Sequence, residues 1–390
     1  MKKNYALNSF LILLLMVMAT GCCCTKKCLI TLVAPVADAV IVQHPAEMHE
    51  FLQLSSAPRR DYFNNMEKRA VLYKSHQSVP NEFSWKSDVE LQDVKLEFSL
   101  DKKFKTNAQE LVLSMDAAAQ KAQVCNFQAG KTVYWRVRGT TPFGKTVISP
   151  VSSFKTEDLL PRQITLPGVD NVRDLGGWST VDGRRMRQGL IFRSAGLNLD
   201  SPDWVWDEAK RIDPKKSRIG ETVIKPEGID YFVNKIGIKT ELDLRWDGEV
   251  ATMTESPMGK AVKWIHIPSY DYYGPIFQEK GMNAVREDFK LFADKNNYPI
   301  VFHCIAGADR TGTLSYILCG LLGVAEDNIR KDWEVTARDY FKYENYDTIS
   351  QGFAKYGDPN DPLSVKIQKF LITCGVTQEE IDAFKAIILE

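Results

Sequence analysis

Cys304 and Arg310 are the two residues whose types and spacing could do chemistry together, in the run IVFHCIAGADRTG (300–312). The cysteine offers a nucleophile. The arginine offers a planar fork that can grip two oxygens of a phosphate. PIVFHC (299–304) is a continuous apolar run, as in a strand buried on both faces. TGTLSYILCGLLG (311–323) spaces Leu314, Ile317, Leu318, Leu321 and Leu322 along one stripe of a helix. The segment between them is then a tight strand-to-helix crossover, in which Gly307 permits close backbone approach. Its N–H groups converge at a helix N-terminus, a ready anion site, and such a site with a cation nearby favours the thiolate. The predicted reaction is in-line attack of Cys304 on phosphorus held by Arg310 and by the loop at Ile305, Ala306, Gly307, Ala308 and Thr311. Water hydrolyses the resulting thiophosphate, a carboxylic acid protonates the leaving oxygen, and Thr311 donates a hydrogen bond to the departing sulfur.

Such a turn needs a sheet behind it. From Pro161 onward strand and helix patterns alternate: GIDYFVNKIG (228–237, helix), TELDLRW (240–246, strand), VKWIHIP (262–268, strand), AVREDFKLFADK (284–295, helix) and EDNIRKDWEVTARDYF (326–341, helix). PLSVKIQKFLITCG and TQEEIDAFKAIILE predict two further helices. Alternation of this kind predicts an α/β domain with a mainly parallel sheet, and ligands of such sheets lie beyond the carboxyl ends of the strands, where Cys304 stands. Residues 29–157 have a different rhythm. VKLEFSL (94–100), ELVLSM (110–115) and TVYWRVRG (132–139) alternate with period two, TTPFGKT (140–146) supplies a turn, and SPVSSFKT (149–156) another strand, which predicts an all-β segment.

The whole chain bounds these readings. Its 390 residues exceed one typical domain, and its formal net charge of zero gives no global field for nucleic acid, so attraction for an anion must be local. Lys2 and Lys3 precede the short apolar run FLILLLMVMATG (10–21), the pattern of a secretory signal peptide. Four of the eight cysteines crowd into 22–28, and the rest are isolated. No Cys-x2-Cys or His-x3-His pair follows, so neither a metal cluster nor a cofactor is predicted.

HCIAGADRTG matches the His-Cys-x5-Arg-Thr-Gly signature of the protein tyrosine phosphatase superfamily. Together with DNVRDLGGWSTVDGRRMRQGLIFRSAGL (170–197) and ELDLRWDGEV (241–250), it makes residues 161–390 resemble the bacterial tyrosine phosphatases that carry Asn-Phe-Arg-Asp-Leu-Gly-Gly and Asp-Leu-Arg motifs. Members of that family act on phosphoproteins and, in some cases, phosphoinositides. The resemblance implies that Asp309 is a functional loop carboxylate and candidate general acid, with hydrogen bonding to backbone amides as its competing role. Asp243 resembles the family's second acidic position, with a salt bridge to Arg245 or Arg173 as its competing role. Asp271, in SYDYYG, is a third candidate acid against the plainer role of a solvated loop charge. His303, Asn171, Arg173 and Asp174 read as supports of the loop. Ala308 departs from the family's lysine, which removes a second cation beside the phosphate. ATGC (19–22) resembles a bacterial lipobox with Ala19 where leucine is commoner, and Cys22 would be lipidated. YWRVRGTTPFGKTVISPVSSFKT resembles the last two strands of a fibronectin type III or related immunoglobulin-like sandwich, which implies that fold for the segment.

The resulting expectation is a signal peptide (1–21), a lipidated linker (22–28), a fibronectin type III-like sandwich (29–157) and a tyrosine phosphatase-like domain (161–390), anchored at a membrane outside the cytoplasm. The substrate would be a phosphorylated protein or a small phosphomonoester. Hydrolysis of inositol phosphates or phosphoinositides is one alternative. A phosphate-binding pseudophosphatase, whose sandwich recruits a protein or glycan, is another. Rhodanese-like sulfur transfer is a third, disfavoured by the Arg-Thr-Gly ending and the VRDLGG segment.

Overall fold

The computed structural model describes residues 29–105, 109–198, 222–271, 275–337 and 343–390. Cys22 and the leader lie outside the described residues. In the C-terminal domain a sheet runs in the order Arg162–Gln163, Arg173–Asp174, Ile191–Ser194, Ile300–His303, Thr240–Asp243, Lys263–His266. The last four strands are parallel neighbours, and the first two join antiparallel at one edge.

Register decides where the site falls. His303 sits between Ser194 and Asp243, so three strands end at one level and the residues after them meet. Ile191, Ile300, Phe302 and Leu242 face a core with Phe289, Phe292, Leu318 and Phe384, whereas Phe192 and Val301 face Phe232, Ile238 and Val262. Both faces are covered, which is why these strands read as unbroken apolar runs. Helices Glu279–Ala293, Asp309–Leu321, Leu363–Thr373 and Gln378–Ile388 supply the first face. Pro226–Asp230, continued by a π-helical turn over Tyr231–Ile236, covers the second. The helix expected over 326–341 ends at Glu334, and a separate helix, Tyr343–Phe353, follows.

The N-terminal segment contains two sheets. Ile30–Ala34, Asn81–Ser87 and Lys121–Val124 form one. Ala39–Ile41, Ser152–Thr156, Thr132–Thr140, Gln92–Ser99 and Gln109–Ser114 form the other, with Thr146–Ile148 beside Thr132–Thr140. Their shared core centres on Phe83, whose ring lies 4.8 Å from Phe98, 5.2 Å from Trp135 and 5.2 Å from Phe154. The chain enters this unit where the Leu29 carbonyl accepts from Asp88 N–H, near the Gln92–Thr140 pair. It leaves at the opposite pole, where Thr156 N–H donates to the Lys131 carbonyl.

The expectation of an all-β unit over 29–157 requires correction. Helices Ala46–Gln53, Ser56–Asn64 and Met66–Tyr73 interrupt the strands. Met48, Phe51, Leu52, Tyr62 and Leu72 recur at helical rather than period-two spacing, and they pack on Val335 and Ala337 of the C-terminal domain. The helices form a small cluster of their own with these two residues, outside the sandwich core.

Candidate active site

The apolar strand Ile300–His303 delivers Cys304 to the floor of a turn that closes into helix Asp309–Leu321. Cys304 is 3% exposed. Gly307 adopts φ +64°, and a Cβ there would lie 2.3 Å from the Ser194 carbonyl oxygen, so only glycine fits. The loop carbonyls are drawn outward: Asn171 Nδ2 donates to Ala306 O (3.2 Å) and Gly307 O (3.0 Å), and Arg193 Nη2 donates to Gly307 O at 2.7 Å. With the carbonyls held this way, the N–H groups of Ile305, Gly307, Ala308, Arg310 and Thr311 make no hydrogen bond among the described residues. The Thr311 hydroxyl is fully buried and likewise has no partner. A ring of unspent donors at a helix N-terminus is suited to an anion.

Arg310 closes the ring. Its Nη1 donates to Glu249 Oε2 at 2.6 Å and its Nη2 to Glu249 Oε1 at 3.1 Å, while the guanidinium carbon lies 4.8 Å from the Trp246 ring centre. Burial works against its charge, but the Cys304 sulfur and the Glu249 carboxylate outweigh burial and hold it above the ordinary arginine value. Two of five N–H donors face Glu249, so the Nε side of the fork is left to bind oxygens.

Behind the loop lies an ionic lattice. Asp332 accepts from Arg173 Nε and from Arg193 Nη1, each at 2.6 Å, and Arg173 Nη1 donates to Asn171 Oδ1. Burial and the neighbouring Arg173 pull Arg193 down to about 10, against the opposing influence of Asp332 and Cys304. Asn171 and Arg173 thus support the loop, as their place in the VRDLGG segment predicts. Asp174 instead ties down the following turn, accepting from Arg162 and from Gly176 and Gly189 N–H. His303 is fully buried, with Nδ1 3.1 Å from the Cys304 carbonyl and Nε2 2.9 Å from Glu241 Oε1. Both of these oxygens are acceptors, so each ring nitrogen is placed to donate.

The three candidate acids separate. Asp243 is fully buried and takes Arg245 Nε at 2.9 Å and Nη2 at 2.7 Å. Burial opposes its ionisation, but His303 and Arg245 prevail and hold it at about 2. With both oxygens taken by Arg245, Asp243 has the geometry of the competing salt-bridge role. Glu241, Asp243 and His303 also have metal-ligand spacing, but Arg245 on Asp243 and Ser256 on Glu241 already fill the oxygens with donors. Asp309 stands half-buried in the first helical turn, directly between Ala308 and Arg310. Asp271 lies half-exposed in the loop after Lys263–His266, two residues beyond Ser269, whose carbonyl accepts from Trp246 Nε1. Ala308 has no exposed surface and its side chain joins the main core. It contributes an amide to the anion ring, and its methyl group does not face solvent.

Glu249, Arg193, Asp332 and Glu241 escaped the sequence reading. A signal existed for Arg193: a cation inside the short buried run IFRS demands a buried carboxylate. None pointed to Asp332, far along the chain. Glu249 follows the strand Thr240–Asp243, whose end is level with that of Ile300–His303, so register places it by Arg310.

Residues 164–205 and 221–388 match the sequence model of the tyrosine phosphatase family. A Cupriavidus necator protein bearing a tyrosine-protein phosphatase name is 27% identical over 184 residues, covering 41% of this chain. The chain spans 58% of that relative's length. Among solved structures, the core catalytic domain of the PP-IP phosphatase SIW14 of S. cerevisiae, in complex with citrate, is 14% identical with a TM-score of 0.28, over 41% of this chain and 79% of that one.

Proposed function

The chain belongs to the tyrosine phosphatase family, and on that premise we propose that it hydrolyses phosphomonoesters through a cysteinyl-phosphate intermediate. The observation that carries this reading is that one tight turn brings together Cys304, the unpartnered amides of Ile305, Gly307, Ala308, Arg310 and Thr311, and the Glu249-braced Arg310 guanidinium. The amides and Arg310 hold the three non-bridging oxygens. Cys304 sulfur attacks phosphorus, the bond to the ester oxygen breaks, and Asp309 gives that oxygen a proton. Water then attacks phosphorus, the S–P bond breaks, Asp309 takes the proton from water, and the thiolate returns as phosphate leaves. The Thr311 hydroxyl, buried and unpartnered, serves the leaving sulfur.

The substrate class we favour is protein phosphotyrosine. A single arginine grips the phosphate and residue 308 supplies a methyl group, so further phosphates on a substrate gain no loop cation. The remaining parts of the reading are a signal peptide ending before Cys22, lipidation of that cysteine with attachment to an extracytoplasmic membrane face, and fibronectin type III-like strands within 29–157. The deciding experiment compares wild type and Cys304→Ser on an aryl phosphate, a phosphotyrosine peptide and inositol phosphates. Wild type should turn over the aryl phosphate and prefer the peptide, and the serine variant should bind vanadate without turnover. Substantial turnover by the serine variant would rule out the mechanism, and equal use of inositol phosphates would overturn the substrate.

A further inference from the structure

We infer that Arg59, which precedes the family-matched residues by more than a hundred positions, is a positioning residue for the phosphate loop, acting through helix Glu326–Glu334. The inference rests on the phosphatase reading. Arg59 is 0% exposed although it belongs to the N-terminal segment. Its Nε donates to Glu334 Oε2 at 2.6 Å, its Nη1 to the Leu54 carbonyl at 3.0 Å, and its Nη2 to Asp327 Oδ1. Glu334 is 1% exposed, so the Arg59–Glu334 link is a buried ion pair across two segments of the chain.

The helix that Arg59 holds is the one that holds the loop. Asp332 carries Arg173 and Arg193, and Arg193 reaches Gly307 O at 2.7 Å. Trp333 packs on helix Asp309–Leu321 so closely that a Cβ on Gly312 would lie 3.2 Å from its ring. Three successive residues therefore divide the labour: Asp332 and Trp333 face the phosphate loop, and Glu334 faces Arg59. The helix has nine residues and no side-chain N-cap, so its own backbone fixes its position weakly and its partners decide it. Phe51 and Leu72 pack on Val335 and Ala337 beyond the end of this helix, away from the Arg59–Glu334 pair. Removing one partner of a buried ion pair leaves the other charge without compensation, and the helix must shift to relieve it.

The test uses the full-length chain and measures inorganic phosphate affinity by calorimetry together with kcat and KM on an aryl phosphate, well below every melting temperature. Arg59→Met should weaken phosphate binding and lower kcat about tenfold, a size found for coupling through packed networks. Arg59→Lys, which keeps the charge, should recover part of both. Leu72→Ala, which loosens the apolar packing beyond the helix end without touching the ion pair, should lower the melting temperature but leave both readouts within about twofold. Wild-type phosphate affinity in Arg59→Lys and Arg59→Met overturns the inference. So does an equal loss in Leu72→Ala, which would assign the effect to general loosening between the two segments and not to the ion pair. If Arg59→Met does not fold, the Lys and Leu72 variants decide. Should wild type lack hydrolytic activity, the function fails, while phosphate affinity still tests Arg59.

Discussion

Glu249 meets both terminal nitrogens of Arg310, at 2.6 and 3.1 Å, and its Oε2 also accepts from Trp246 N–H. The carboxylate sets the plane of the guanidinium and so decides which edge of the fork is presented to a bound oxyanion. Its effect is orientation more than charge, since an unbraced arginine would still be cationic.

Glu249→Gln should therefore lower kcat/KM about tenfold to a hundredfold, the loss expected when charge-assisted hydrogen bonds of about 1.5–3 kcal/mol are weakened. Steady-state kinetics on an aryl phosphate checks this, and near-normal values would detach Glu249 from the site.

Gly307→Ala places a methyl carbon 2.3 Å from Ser194 O at φ +64°. The loop must then move off Arg193 and Asn171 and its amides diverge. Phosphate affinity should fall by an order of magnitude or more while the melting temperature drops by the equivalent of about 1–3 kcal/mol. Unchanged calorimetric binding would show that the amide ring tolerates the shift.

Asp243 and Asp309 predict opposite pH behaviour. Asp309→Asn should remove the basic limb of the pH–rate profile, whereas Asp243→Asn should keep it. Asp243 is held at about 2, below its unfolded value of about 3.9, so its stabilisation is fully present above about pH 4 and is lost as pH falls toward 2. Acid unfolding of Asp243→Asn should lack this loss. A profile that lost its basic limb in Asp243→Asn would return that residue to catalysis.

Ala308→Lys should destabilise the fold and not improve the grip on polyphosphorylated inositides. The Ala308 side chain is fully enclosed, so a lysine stem must displace core neighbours before its ammonium finds water. Tighter binding of such ligands at unchanged stability would show the side chain turned outward.

What was legible in the sequence is what short-range pattern controls. The apolar run ending at Cys304, the Gly307 turn and the stripe from Leu314 to Leu322 specify strand, turn and helix locally, and the structure places them as read. The partners that tune the loop were not legible, because they arrive from elsewhere: Glu249 through strand register, Asp332 through a helix after the loop, Arg59 from a segment before the domain. The helices at 46–73 were hidden for a related reason. Their apolar stripes match a surface outside the sandwich, so the composition of the surrounding strands gave no guide to them.

The sandwich is threaded from pole to pole, with Leu29 near Thr140 and the exit near Lys131. The strand between these poles, Thr132–Thr140, spans about 30 Å. Residues 46–73 stand between strands Ala39–Ile41 and Asn81–Ser87 and carry Arg59 onto Glu334, so the sandwich is tied to helix 326–334 as well as through the peptide that follows Thr156. Two ties leave the unit fewer ways to turn than a single junction would.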